Sequence, residues 1–170
     1  MRRPVVLLLS FAALATPVAA VAAHGGSTDG TLVVKSGQAP RGVPVVTLAI
    51  TGSVIGQVSD YGKIVFNNPP GAPSPEVTGA SYHAISNDGT ETWAGPGFKF
   101  RAVGGHFALT IYGSGVDIVA IGKGSVVLAG MPGTAVGDGR YSLNGRDFVS
   151  LPGTPTKELA ITGPAPTAGG

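Results

Sequence analysis

Residues 98–130 read FKFRAVGGHFALTIYGSGVDIVAIGKGSVVLAG, and this stretch decides the fold class. A two-residue turn at Gly104-Gly105 suits the dihedrals of a type I′ or II′ hairpin. It would set Val103 opposite His106, Ala102 opposite Phe107, Phe100 opposite Leu109 and Phe98 opposite Ile111. Phe98, Phe100, Ala102, Phe107, Leu109 and Ile111 then share one face, with Lys99, Arg101, Ala108 and Thr110 on the other. A slip of one residue would mix the two sets, so the pattern specifies its own register. The following VDIVAIGKGSVVLAG predicts a second hairpin turning at Lys123-Gly124, after a bend at residues 113–115. With that turn both of its faces are apolar, which predicts strands covered on both sides.

Working outward, VPVVTLAITGSVIGQVSDYGKIVF (residues 43–66) repeats the grammar. Leu48 and Ile50 precede Gly52-Ser53 as Leu109 and Ile111 precede Gly113-Ser114. Tyr61-Gly62 precedes Ile64, Val65 and Phe66 much as Lys123-Gly124 precedes Val126, Val127 and Leu128. One inserted residue aligns the two units, giving an internal duplication over about 32–66 and 98–130. The first unit is expected to cover the second within a monomer. A proline-rich loop (67–75), a short strand (81–85), a turn at Asn87-Asp88-Gly89 and a hairpin at Asn144-Gly145 complete the pattern. The expected fold is all-β, an antiparallel β-sandwich or a closed barrel of hairpins. It occupies one domain over 24–152, followed by a flexible Pro/Gly/Thr-rich tail over 153–170.

The N-terminus, MRRPVVLLLSFAALATPVAAVAAHGG, has Arg2 and Arg3, a short apolar run and then small residues. That order predicts a secretory signal peptide over 1–23, cleaved after Ala20, Ala22 or Ala23, and a secreted or cell-envelope protein. The apolar run is shorter than the roughly 20 residues that span a bilayer, and no later stretch supplies a transmembrane segment. Without Arg2 and Arg3 the eleven basic residues become nine and balance the nine acidic ones. A nucleic-acid partner therefore has no electrostatic support. With no cysteine in an exported chain, disulfides and thiolate metal sites are both excluded. The 28 glycines punctuate short strands, because the aliphatic content is too regular for a disordered chain.

Motifs for chemistry are few. The IGKGS segment lacks the first glycine and the final hydroxyl of a phosphate loop, and no serine sits in G-x-S-x-G. Leu151-Pro152-Gly153-Thr154 is followed by Pro155 and by no apolar span, so it reads as a loop and not a wall-sorting signal. His24 would become a metal-binding residue if cleavage follows Ala23, its imidazole and the new α-amine together chelating Cu(II). A glycosidase needs two carboxylates flanking the scissile bond, but Asp60, Asp88 and Asp138 sit in turn contexts. Trp93, Tyr82 and Tyr112 are the aromatic candidates for a ligand face. No motif requires a cofactor.

The run FRAVGGHFALTIYGSGVDIVAIGKGSVVLAG (100–130), followed by GRYSLNG (139–145), resembles uncharacterised exported β-rich proteins of actinobacteria. The resemblance covers about a third of the chain and implies export and a β-rich fold, with no established activity attached. The expected role is non-enzymatic: structural, adhesive or interacting, with self-association open and the partner unknown. The alternative is a small-molecule or glycan-binding β-barrel, and a further one a secreted copper-dependent or hydrolytic enzyme. The mature protein should begin between Val21 and His24. Intact-mass analysis of secreted protein checks this, and a full-length mass from the membrane fraction would refute it.

Overall fold

The computed structural model describes residues 28–69, 71–131 and 139–163; the expected signal peptide and His24 lie outside them. Nine strands follow in order: β1 (Gly30–Lys35), β2 (Val46–Phe66), β3 (Glu76–Thr78), β4 (Tyr82–Ile85), β5 (Glu91–Gly113), β6 (Val116–Leu128), β7 (Arg140–Leu143), β8 (Val149–Ser150) and β9 (Leu159–Ile161). All pairings are antiparallel and form one open sheet, β3-β5-β2-β6-β1-β7-β8, with β4 added to β5 and β9 to β6. The architecture is sandwich-like and is not a closed barrel. Among the described residues no helix is long and apolar enough to cross a membrane.

The frame is the β2/β5 ribbon. β2 pairs with β5 from Val46↔Ile111 through Val58↔Phe98 to Phe66↔Glu91. The ribbon then doubles back, so that Ile64 and Phe66 also pair with Ile111 and Leu109 on the opposite edge. Val46 and Ile64 thus flank Ile111 from both sides. The enclosed face carries Leu48, Ile50, Val54, Phe66, Phe100, Phe107 and Leu109, all buried. Phe66 meets Phe100 edge-on, with centroids 6.3 Å apart.

The six apolar residues expected on one face of 98–111 are all buried, but their partners are different. No hairpin turns at Gly104-Gly105. The chain continues straight through as β5, and Ala102, Phe107 and Leu109 pair with Val54, Ile50 and Leu48 of β2. Gly104 is the extra residue of a β-bulge, between the pairs Gly52↔Gly105 and Ser53↔Val103, with φ 70°. Its N–H, left without a ladder partner, donates to the Ser53 hydroxyl. A bulge inverts the side-chain phase just as a two-residue turn does, so the apolar face is the same in both readings.

Lys123-Gly124 is likewise not a turn. β6 passes through it with a single alternation: Val116, Ile118, Ala120, Val126 and Leu128 are buried, while Val119, Ile121 and Val127 on the outer face are half-buried. The expectation of strands covered on both sides is corrected accordingly. Residues 113–115 do form the β5–β6 bend, whereas Gly52-Ser53 lies inside β2. The match between the two units therefore does not extend to equivalent turns.

Across four strands the inward positions at one level are glycines, Gly30–Gly122–Gly52–Gly105. A Cβ on Gly52 would stand 2.8 Å from Gly122 Cα, and one on Gly122 2.9 Å from Gly52 Cα. Their φ values, 154° and 151°, are also ones that side-chain-bearing residues rarely adopt. This side-chain-free row permits local bending of the sheet and lets β2 and β6 keep their ladder through these two positions.

The hairpin expected at Asn144-Gly145 is present. Both residues have positive φ, and Arg146 N–H donates to the Leu143 carbonyl. The flexible tail expected from 153 is corrected over its first part. β9 pairs with β6, and Ile161 is fully buried. Asn144 fastens this strand by donating to the Ala160 carbonyl and accepting from Thr162 N–H. β9 continues the edge of β6 along which β1 lies, and Gly163 N–H donates to the Thr28 carbonyl, so the two described chain ends meet.

A denaturant series should rank these features. Phe100→Ala should cost about 2–5 kcal/mol as a large buried truncation. Gly122→Val should cost at least about 2 kcal/mol, from backbone collision and strain together. Lys99→Ala, on the exposed outer face, should cost under about 0.5 kcal/mol. Equal losses at Lys99 and Phe100, or a neutral Gly122→Val, would contradict the register and the glycine row.

Candidate functional site

The second half of the ribbon carries β4 on its edge, and the β4–β5 turn explains how. Ser86 and Thr90 close the loop through Ser86 N–H to the Thr90 carbonyl and Gly89 N–H to the Ser86 carbonyl. The Asp88 carboxylate accepts from the Ser86 hydroxyl (2.7 Å) and from Thr90 N–H (3.0 Å). The Ser86 bond, then the Thr90 bonds, hold its pKa below the ordinary carboxylate value. A depressed folded-state pKa means that this contribution holds above the unfolded value and is lost as pH falls through the folded one.

Direct cross-strand pairs share a face, so this part of the sheet sorts its aromatic residues into two rows. The inward row is Ile111–Ile64–Trp93–His83. Trp93 packs against the core, and the His83 ring lies flat on it, with centroids 3.5 Å apart and planes 10° from parallel. His83 Nε2 also approaches Glu91 Oε2 at 3.4 Å. Trp93 Nε1 is buried and has no hydrogen-bond partner among the described residues, which costs about 1–3 kcal/mol for such a donor. These features make Trp93 a packing residue at the sheet edge.

The outward row is Tyr112–Lys63–Ala94–Tyr82, and Tyr61 follows two residues before Lys63 on the same side. Lys63 Nζ lies 4.3 Å from the centroid of the Tyr112 ring. Tyr61 is 72% exposed and Tyr82 55%. At a strand spacing of about 4.8 Å, Tyr112 and Tyr82 stand roughly 14 Å apart across the face. Tyr61, Lys63 and Tyr112 line an open cleft of about 560 Å³ together with Pro40 and Arg41 of the β1–β2 loop. That loop is fixed to the β5–β6 bend. Ser36 N–H donates to the Val116 carbonyl, Gly115 N–H to the Gly37 carbonyl, and Ala39 N–H to Ser114 Oγ.

A second cleft, of about 390 Å³, lies over Ile55 and Val119 on the outer face of β5, β2 and β6. Its charges offset one another: Glu76 pairs across strands with Arg101, while Lys99 and Asp117 flank Gln57. The Tyr61 cleft differs, since Arg41 and Lys63 line it and, among the described residues, no carboxylate does.

Of the three expected aromatic ligand residues, the fold brings Tyr82 and Tyr112 onto one outer face and turns Trp93 inward, away from both. Tyr61, Lys63 and Arg41 were not among the candidates. The spacing Tyr61-x-Lys63 on a strand would have placed those two on one face, but reading Tyr61-Gly62 as a turn hid it. His106 pairs with Thr51, whose Oγ1 lies 3.0 Å from its Nδ1, and His83 is taken up by Trp93 and Glu91. Among the described residues no group of three or more His, Asp or Glu side chains is placed to hold a metal ion. No family model, no curated protein and no solved structure matches this chain.

Stability and exposure should separate the two rows. Trp93→Ala should cost on the order of 3 kcal/mol by emptying a packed site. Trp93→Phe should cost much less, because it also removes the unpartnered donor. Tyr61→Ala should fall within about 0.5 kcal/mol of the parent. Thermal and denaturant melts of the three variants check this, and a Tyr61→Ala loss as large as that of Trp93→Ala would break the assignment.

Proposed function

We propose that this chain is a non-enzymatic domain of the cell exterior that works by adhesion, holding a saccharide surface on the outer face of β2, β4 and β5. The observation that carries the reading is that Tyr61, Tyr82 and Tyr112 stand on one sheet face, Tyr61 and Tyr112 lining a cleft with Lys63 and Tyr82 lying farther along the row. The chain has four tyrosines, and the remaining one, Tyr141, packs against the core. Aromatic rings offer broad apolar area with a polar rim, which suits the mixed CH and OH faces of sugar rings. Rings set in register on strands also lose little conformational freedom on binding, unlike rings on a loose loop. The signal-like N-terminus supports a place outside the membrane, where such surfaces are met.

The test is a glycan array together with sedimentation of the protein with insoluble cell-wall polysaccharide. Parent protein should be retained, and Tyr61→Ala combined with Tyr112→Ala should reduce retention about tenfold, as loss of central aromatic contacts does elsewhere. Retention equal in parent and double variant, or no retention of parent on any saccharide, would refute the reading.

A further inference from the structure

The charge of the Tyr61 cleft goes further than its aromatic rings. Among the described residues Arg41 and Lys63 are the only ionised groups that line it. Lys63 has one face against the Tyr112 ring, an arrangement that holds an ammonium in place without neutralising it. Arg41 is exposed on a loop whose backbone is anchored at Ser36, Gly37 and Ala39, so its guanidinium works from a fixed base. The nearest acid in sequence, Asp60, does not line the cleft; its carboxylate lies near Gly115, next to the lining residue Ser114. The whole chain, by contrast, carries nearly as many acids as bases. Two cations that have no carboxylate partner among the described residues, beside two tyrosines, are therefore a local concentration of positive charge in an otherwise balanced molecule.

We propose that this cleft takes a saccharide bearing a carboxylate, a uronic-acid unit. Its ring lies on Tyr61 while the carboxylate accepts hydrogen bonds from the Arg41 guanidinium and the Lys63 ammonium. The proposal rests on the saccharide-face reading above and adds the ligand class. A planar carboxylate matches the paired N–H groups of arginine, and lysine adds a point charge. The cleft volume, about 560 Å³, falls within the range of small-ligand sites and accommodates one or two sugar units.

The experiment uses the secreted protein with oligogalacturonate and with the same oligosaccharide methyl-esterified, which keeps the rings and removes the charge. Titration calorimetry at low salt should show the acid binding about tenfold or more tighter than the ester. That preference should shrink in about 0.5 M salt, where exposed charges are screened. Arg41→Gln and Lys63→Gln should each erase the preference while leaving the thermal melt unchanged. Tyr61→Ala should weaken acid and ester alike. Equal affinity for acid and ester overturns the uronate assignment and leaves the saccharide face standing. Binding of neither probe overturns the uronate assignment, and the polysaccharide sedimentation then decides the broader reading by itself. A preference for acid that survives both glutamine variants places the carboxylate elsewhere and likewise overturns the proposal.

Discussion

The architecture depends on one constraint: at Gly52 and Gly122 the backbone conformation aims the Cβ position into the neighbouring strand, so neither can carry a side chain. The constraint extends to Gly30 and Gly105, so one level of the inward face has no side chains across four strands. Most other positions on that face carry Leu, Ile, Val, Phe or Ala, whose side chains fill the space beneath the sheet. Relieved of bulk at one level, the ribbon can curl until Ile64 pairs beside Ile111. The enclosed core then forms without any disulfide and without a second, separate sheet. The outer tyrosine row exists only because of that curl, since Tyr112 and Lys63 become neighbours where the ribbon meets its own edge.

Much of the fold was legible in the sequence, and each error has a physical cause. Period-two alternation reports which side a residue faces, and Phe98 through Ile111 were assigned correctly on that basis. It does not report what lies opposite. At Gly104-Gly105 a hairpin and a bulge produce the same inversion of phase, and only the long-range partner, β2, distinguishes them. At Lys123-Gly124 there is no inversion at all. Read straight through, Ile118, Ala120, Val126 and Leu128 alternate without a break, and the dipeptide's turn chemistry outweighed that continuity. β9 was missed for a different reason. Three residues are too few to show a period, and Leu159-Ala160-Ile161 is held by Asn144 and β6, neither of which is near it in sequence.

The candidate site was legible only in part. Tyr82 and Tyr112 lie 30 positions apart, and their shared face follows from three pairings through Ala94 and Lys63 that no local pattern encodes. Trp93 attracted attention as the single tryptophan in a loop-like ETWAGPG segment. Its neighbours make it a strand residue, and the parity that sends Ala94 outward sends Trp93 inward. Arg41 carried no signal beyond being a charge on a loop; its importance comes from the bonds that fix residues 36–39 to the β5–β6 bend.

The meeting of Thr28 and Gly163 gives the molecule an unusual kind of seam. β9 ends where β1 begins, along the same edge of β6, so the two behave as one strand with a nick in it. Topologically the described chain is close to a circle, and its order of strands has no privileged first member. Joining residue 163 to residue 28 and opening the chain at another loop would therefore leave every strand pairing in place.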